Sequence, residues 1–247
     1  MTRLATAACA AILPLALAGC SSALGTGSSG SPAPASDSPS PSAVASSTAA
    51  PSADPKATPS ASRPSHTTRA RPESDGRPRR ATLAIPAIGV RALVVHPYRG
   101  TPDDAAGTRI QDRGAAASPH GPGGGAGPGG IGNYIVTAHR TSSTRAFAEL
   151  PDLRVGDRVH VRAAGTRYTY RITKTRSTSF RSPRSLARQS AAVPGRPGRT
   201  PTRAMITLST CATPEDRAAG NYWSDEFGNP EHRIDKVGVL VGARPVR

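Results

Sequence analysis

Residues 21–80 contain almost nothing from which a hydrophobic core could be built. Ser, Pro, Ala and Thr dominate this stretch, and large apolar side chains are nearly missing from it. Such a segment cannot bury enough apolar surface to offset the conformational entropy lost on folding. We therefore predict a disordered tether over residues 20–80, which its proline content keeps extended. Any folded domain must lie in residues 81–247, the length of one ordinary domain.

The N-terminus has the pattern of an export signal. Arg3 supplies a positive start and residues 4–17 form an apolar run, too short to cross a membrane as a helix. Residues 17–20 (Leu-Ala-Gly-Cys) are similar to a bacterial lipobox, whose cysteine receives a lipid. We predict a signal peptide over residues 1–19 and a lipid on Cys20 that anchors the chain to the outer face of the cytoplasmic membrane, facing the cell wall. The alternative is an ordinary cleaved signal in which Cys20 has no special role.

The cysteine count then leaves a single thiol. Of the three cysteines, Cys9 is removed with the signal and Cys20 carries the lipid, so Cys211 has no partner for an intramolecular disulfide. Residues 205–211 alternate like a half-buried strand, with Cys211 last on the more polar face. A strand end is rigid and the loop beyond it is open to a substrate. This position favours a reactive nucleophile over a small buried cysteine.

The net charge of the chain indicates that its partners are anionic. The formal net charge is +16, mainly from arginine. A basic chain favours polyanions such as nucleic acid, anionic lipid or acidic wall polymers. The arginines are scattered without interleaved aromatic residues, and no helix-turn-helix, RNP or zinc-finger pattern accompanies them, so we expect no nucleic-acid partner. One function left open is a non-catalytic basic lipoprotein that binds anionic wall polymers.

Short β-rich runs separated by Gly, Pro and Asn fill most of the domain. About eight are recognisable, including residues 82–85, 90–95, 133–138, 158–163, 167–173, 205–211 and 233–242. No long amphipathic helix is present, and this pattern predicts an all-β barrel or sandwich. Two longer stretches, 100–130 and 177–203, are predicted to be loops. The glycines at 123–130 suggest a flexible surface loop, since no Lys-Ser/Thr follows that would indicate a phosphate loop.

Three of these runs place a reactive side chain at a strand end. His139 follows residues 133–138, Cys211 ends residues 205–211, and Arg233 begins the last run. This order resembles the sortases, the cysteine transpeptidases of Gram-positive bacteria, and most closely their class E branch in actinobacteria. Supporting stretches are Ile-Pro-Ala-Ile-Gly-Val at 85–90, Ala-His-Arg-Thr at 138–141, Leu-Arg-Val-Gly-Asp at 153–157, residues 194–202 and Thr-Leu-Ser-Thr-Cys at 207–211. The resemblance covers residues 81–247 and implies a closed β-barrel of about eight strands with short helices and long loops.

The resemblance also implies a reaction. Cys211 attacks the Thr–Gly bond of an LAxTG- or LPxTG-like sorting signal in a secreted protein and keeps the acyl group as a thioester. His139 acts as general acid and base, and Arg233 stabilises the oxyanion or the substrate backbone. Arg217 is nearer to the cysteine, but residues 233–240 match the closing strand of the family. The acyl group then passes to a cell-wall amine of a peptidoglycan precursor. We expect positive charge from His139 and Arg233 to hold the cysteine as thiolate.

The chain departs from the family in two respects. A lipid on Cys20 replaces the usual transmembrane helix, and residues 212–232 form a longer loop than most class E members have. We name Thr210, Tyr222 and Trp223 as substrate-binding residues, although such loop aromatics also pack loops against a barrel. The acidic residues of this loop lack EF-hand spacing, so we predict no metal site and no cofactor. Another exported cysteine peptidase is the remaining alternative, but the motifs typical of those enzymes are missing from this sequence.

Overall fold

The computed structural model describes residues 74–246. The predicted signal peptide, Cys20 and most of the predicted tether lie outside the described residues. Across residues 74–246, no helix has the length and the apolar character needed to cross a membrane.

The described residues form a closed barrel of eight strands, in the order β1-β2-β3-β4-β7-β8-β6-β5. The strands are β1 (Ala81–Ile85), β2 (Val90–Arg99), β3 (Ala116–His120), β4 (Gly132–Thr137), β5 (Arg158–Ala163), β6 (Thr166–Ser179), β7 (Ala204–Cys211) and β8 (His232–Pro245). Three short helices, α1 (Ala105–Asp112), α2 (Pro183–Ser190) and α3 (Thr213–Ala218), lie in the connections. The all-β closed barrel predicted from the sequence is confirmed. Closure also leaves no unpaired sheet edge.

The hairpin between β5 and β6 shows how local sequence sets the register. Ala164 and Gly165 both have positive φ, 47° and 71°, which is the geometry of the two-residue turns that match strand twist. The turn pairs Ala163 with Thr166 and carries the register down both strands. Val159 and Val161 consequently face the core while the residues between them face outward. Burying each such apolar side chain contributes roughly 1.5–3 kcal/mol.

Strands β4 and β7 are covered on both faces, which the alternation of β7 did not indicate. All six residues of β4 are buried, and β7 is buried from Ile206 to Thr210. The polar side chains of β7 are satisfied inside the protein: Ser209 Oγ donates to Asp235 Oδ1 at 2.7 Å. Gln189, in α2, donates from Nε2 to the same Asp235 oxygen at 2.9 Å. Helix α2 thus closes the face that was predicted to be more exposed.

All three helices and strand β3 lie in stretches that we predicted to be loops, so those predictions were wrong in part. In α1, Asp104 caps the helix by accepting the Gly107 N–H at 2.9 Å. In α2, Ser182 accepts the Ser185 N–H at 3.2 Å, and Pro183 begins the helix. Both helices are eight residues long, so capping residues were the main local signal for them.

The glycine-rich stretch is packed rather than flexible, which corrects the sequence prediction. Residues 127–130 are buried, and Gly127 N–H donates to the Gly76 carbonyl at 2.8 Å. A Cβ at Gly127 would lie 2.0 Å from the Arg77 carbonyl oxygen, and one at Gly130 would lie 2.4 Å from the Gly76 Cα. Only glycine permits this approach of two backbones. Residues 74–80, which we assigned to the tether, therefore lie against the barrel.

Candidate active site

The register of β4 and β7 brings two predicted catalytic residues together. The strands are parallel, and their pairing runs from Gly132 with Ala204 to Thr137 with Ser209. Beyond it, Ala138 N–H donates to the Ser209 carbonyl at 3.3 Å, and Thr210 Oγ1 donates to the Ala138 carbonyl at 2.7 Å. Neighbouring strands are about 4.8 Å apart. The backbone of His139 therefore leaves β4 next to the end of β7, which Cys211 occupies.

The third predicted residue lies on the other side of β7. Cys211 and Arg233 are direct cross-strand partners in the antiparallel pair of β7 and β8. Because β7 lies between β4 and β8 in the barrel, Cys211 has His139 on one side and Arg233 on the other. Three residues far apart in sequence thus meet at one end of the barrel.

Arg233 is fully buried, and two of its three guanidinium nitrogens form hydrogen bonds. Its Nε donates to Asp103 Oδ2 at 3.0 Å and its Nη1 to the Pro230 carbonyl at 2.8 Å. The guanidinium carbon lies 3.8 Å from the centre of the Phe180 ring, a cation–π contact. Among the described residues, Nη2 has no hydrogen-bond partner. Nη2 is thus a buried, unpaired donor of the residue that pairs with Cys211 across β7 and β8.

Electrostatics keep Arg233 charged in spite of its burial. Desolvation alone lowers the pKa of Arg233, but attraction to Asp103, Cys211 and Asp225 raises it above its ordinary value. Asp103 is the close partner, since it lies next to the guanidinium and is itself buried. A buried cation without such a partner is strongly unfavourable.

Asp103 reaches Arg233 from a strained loop that sequence analysis missed. Its φ is +60°, a left-handed conformation that costs non-glycine residues about 1 kcal/mol. Its second oxygen, Oδ1, accepts from Gln111 Nε2 at 2.8 Å, and that nitrogen also lies 3.1 Å from Thr137 Oγ1. The carboxylate is therefore held between α1, β4 and β8. The ion pair is the reason that the strain is retained.

His139 is oriented by a carboxylate that sequence analysis also missed. Its Nε2 lies 2.9 Å from Asp112 Oδ1 at the end of α1, and its side chain is 12% exposed. The Ser143 hydroxyl donates to the Asp112 carbonyl at 2.9 Å, which ties the segment after His139 to the helix. An ionised carboxylate only accepts hydrogen bonds, so Nε2 carries the proton and Nδ1 is left as the base.

The Cys211 thiol is not activated in the way that we expected. Burial raises its pKa to about 11, and the carboxylates of Asp103 and Asp225 add to the rise. Arg233 and Arg140 act in the opposite direction but do not outweigh desolvation. The expectation of a resting thiolate is wrong for this conformation, in which the thiol is neutral at neutral pH. The physical reason is that the sulfur is half-buried and that the carboxylates near it oppose the arginines.

Arg140 holds the loop that follows the cysteine. Its Nη1 donates to the Cys211 carbonyl at 3.4 Å and pairs with Glu215 in α3. The hydrogen bond from Arg140 lowers the pKa of Glu215. Arg140 follows His139 directly in the chain. Its contacts hold the end of β7 and the start of α3 in place.

A cavity of about 330 Å³ adjoins Arg233. Its wall includes Asp103 and Phe180, the two side chains that contact the guanidinium. Apolar residues such as Pro102, Leu186 and Phe227 form other parts of the wall. Arg233, Cys211 and His139 are themselves not part of its wall.

The predicted substrate-binding residues lie in different places. Thr210 is buried, and its hydroxyl is engaged by the Ala138 carbonyl. Tyr222 is 77% exposed and Trp223 is half-buried, and the cavity beside Arg233 is lined by other residues of the described chain. Within residues 74–246, no group of three His, Cys, Asp or Glu side chains is arranged to hold a metal ion.

Comparison with known proteins shows the family and the fold of this chain. A family model for the sortase domain matches residues 83–223. SrtA sortase from Actinomyces oris superposes with a TM-score of 0.52 at 22% identity, over 72% of this chain and 89% of that one. Sortase E1 from Streptomyces coelicolor, solved with a tripeptide in its active site, has a TM-score of 0.51 at 23% identity, over 70% and 93%. At such identities the structures share a fold. No curated protein sequence matches the chain.

Proposed function

This chain belongs to the sortase family of cysteine transpeptidases, and from that premise we propose that it is a class E-like member. It cleaves the Thr–Gly bond of an LAxTG- or LPxTG-like sorting signal and transfers the acyl group to a cell-wall amine. The proposal is supported by the place of Cys211 at the end of β7, paired with Arg233 on β8 and next to the end of β4, which His139 follows. A lipid on Cys20 holds the enzyme at the outer face of the membrane.

Acylation begins from a neutral thiol. As the sulfur of Cys211 attacks the threonine carbonyl carbon, His139 Nδ1 takes the thiol proton. The oxygen of the tetrahedral intermediate becomes negative and accepts from Nη2 of Arg233, which is buried in the described conformation and must become accessible when the substrate binds. The carbon–nitrogen bond then breaks, and the imidazolium returns its proton to the departing glycine amine.

Transfer to the acceptor repeats these steps in reverse. The amine attacks the thioester, His139 accepts the proton that the amine loses, and the thiolate leaves. The imidazolium then reprotonates Cys211. His139 is thus positively charged in both halves of the reaction, and the nearby Asp112 carboxylate stabilises that form.

The proposal is tested by incubating the full chain with a Leu-Ala-x-Thr-Gly peptide and hydroxylamine. We expect threonine hydroxamate as product, and none from the Cys211→Ala variant. A matched Leu-Pro-x-Thr-Gly peptide compares the two signals. A complete lack of hydroxamate from both peptides, or cleavage elsewhere in them, contradicts the proposal. For the anchor, Cys20→Ala should release the chain from the membrane fraction, and unchanged retention argues against a lipid.

Asp112 provides a separate test of the site. Because it only orients His139, Asp112→Asn should lower kcat roughly tenfold with KM unchanged, less than the 10²–10⁴-fold that general acid–base catalysis supplies. Asp112→Glu should restore part of the rate. Ser143→Ala, which removes only the contact to the Asp112 backbone, serves as the control. Equal losses in the Asn and Glu variants would indicate a structural role alone.

A further inference from the structure

The outer face of β5, β6 and β8 places arginines directly opposite one another. Arg162 pairs with Arg167 and Arg158 with Arg171 across β5 and β6, and Arg167 pairs with Arg244 across β6 and β8. Val159, Val161, Tyr168 and Tyr170, which alternate with the outward-facing residues of β5 and β6, are buried in the core. Like charges directly opposite each other destabilise a sheet. Folding alone gives no reason for this arrangement.

Two neighbouring cavities open on this side of the barrel. The smaller, of about 180 Å³, is lined by Arg91, His160, Arg162 and Arg167 together with Thr82 and two alanines. The larger, of about 400 Å³, contains Arg80 and Arg162 in its wall. Arg162 and Thr82 belong to both cavities. The side chain of Arg162 therefore stands between two concave sites.

No counter-charge compensates these arginines within residues 74–246. Neither cavity has an acidic residue in its wall, and none of the arginines on this side takes part in an ion pair of the described chain. The positive charge of these arginines also affects His160. Burial lowers the pKa of His160, and the neighbouring Arg167, Arg158 and Arg162 lower it further. A bound anion would reduce the repulsion between the arginines and would also counteract their effect on the pKa of His160.

The position of this surface leaves the active site free. In the barrel order, β5 and β1 stand opposite β4 and β7, which carry His139 and Cys211 at their ends. A ligand on the arginines therefore does not block the proposed reaction.

We propose that the basic face binds a linear phosphodiester polymer that lacks bases, with successive phosphates seated in the two cavities on either side of Arg162. The basic face comprises Arg91, Arg158, Arg162, Arg167, Arg171 and Arg244. The planar guanidinium forms paired hydrogen bonds with phosphate oxygens, which suits this chemistry. A flexible polymer can place successive phosphates in both concave sites along the curved surface of the barrel. No aromatic residue lines either cavity, so a stacking platform for nucleic-acid bases is missing from this described surface.

The test titrates the full chain with labelled poly(glycerol phosphate) over a range of salt concentrations. The triple variant Arg91→Gln, Arg162→Gln, Arg167→Gln should bind at least about tenfold more weakly, and its slope of log affinity against log salt should be smaller by about 2. The matched control, Arg196→Gln, Arg199→Gln, Arg203→Gln, has the same change in net charge on exposed residues elsewhere. It should bind like the unchanged chain.

Folding and specificity are checked in the same experiment. The test variant should melt no lower than the unchanged chain, because repulsion has been removed, and it should keep the peptide–hydroxylamine reaction. Equal weakening in both triple variants overturns the proposal in favour of a general charge effect. Tighter binding to phosphatidylglycerol vesicles or to single-stranded DNA than to the polymer, lost in the test variant, also overturns it, in favour of a membrane or nucleic-acid partner.

Discussion

Arginine occurs in two opposite settings in this barrel. Arg233 is fully buried and has a carboxylate, a backbone carbonyl and an aromatic ring around it. Arg162 is exposed and faces Arg167 with no ion pair in the described chain. A buried charge must be satisfied by the protein itself, whereas an exposed one is satisfied by water. Burial therefore requires the partners of Arg233, whereas Arg162 remains available to the external anion that we propose.

The strongest test of this comparison removes the counter-charge of Arg233. Asp103→Asn keeps the shape of the side chain, and asparagine tolerates the left-handed backbone. An uncompensated buried cation then remains, so we expect the free energy of unfolding to fall by about 3–5 kcal/mol, measured by urea denaturation. Asp104→Asn is the control, since both residue types cap a helix equally well. Equal stability of the two variants would show that the Asp103–Arg233 pair contributes nothing net.

A second test keeps the charge of Arg233 and removes its shape. Arg233→Lys cannot contact Asp103 and Pro230 while also offering a free donor beside Cys211. We expect kcat/KM for hydroxamate formation to fall roughly 10²–10³-fold, the usual cost of losing an oxyanion donor. The exposed Arg217→Lys should have no effect. If Arg233→Lys retains full activity, a positive charge is sufficient and the geometry of the guanidinium is irrelevant.

The charges around Cys211 predict opposite shifts in its titration. Arg233 lowers the pKa of Cys211 and Asp103 raises it, around a value of about 11. The rate of alkylation by iodoacetamide should therefore rise with pH up to about pH 11. Its midpoint should be higher in Arg233→Gln and lower in Asp103→Asn. Shifts of the same sign in both variants would contradict the arrangement of charges.

The same pKa has a consequence for stability. The folded-state pKa of the thiol is above the unfolded value of about 8.5, so folding favours the protonated form. The stabilisation is complete below pH 8.5 and is lost as the pH rises through about 11. The Cys211→Ala variant should lose less stability over that interval than the unchanged chain.

The features that could be predicted from the sequence are those that depend on a local residue pattern. Alternation located seven of the eight strands and missed β3, which lies in the stretch 100–130 that we predicted to be a loop. Strand ends indicated His139, Cys211 and Arg233, because a side chain at the end of regular structure is rigidly held and can reach a substrate. Each of these features depends on residues close together in the chain.

What the sequence did not predict depends on contacts across the fold. Asp103 and Arg233 are 130 positions apart, and nothing near either residue indicates the pairing. Asp112 acquires its role only because the short helix α1 ends beside His139. The raised pKa of Cys211 follows from burial, which alternation within β7 did not reveal because α2 covers its second face. The ion pairs and the shifted pKa of the site are therefore determined by packing between distant parts of the chain.

The smallest expected effect belongs to the exposed arginines. Replacing Arg162 by Gln removes its repulsion with Arg167, so the free energy of unfolding should stay the same or rise by about 0.2–1 kcal/mol at low salt. The gain should disappear at high salt, because screening already suppresses repulsion between exposed charges. Arg199→Gln, at an exposed loop position, should change nothing at either salt concentration. If Arg162→Gln instead destabilises the fold, Arg162 has an internal partner after all, and the distinction between the two kinds of arginine fails.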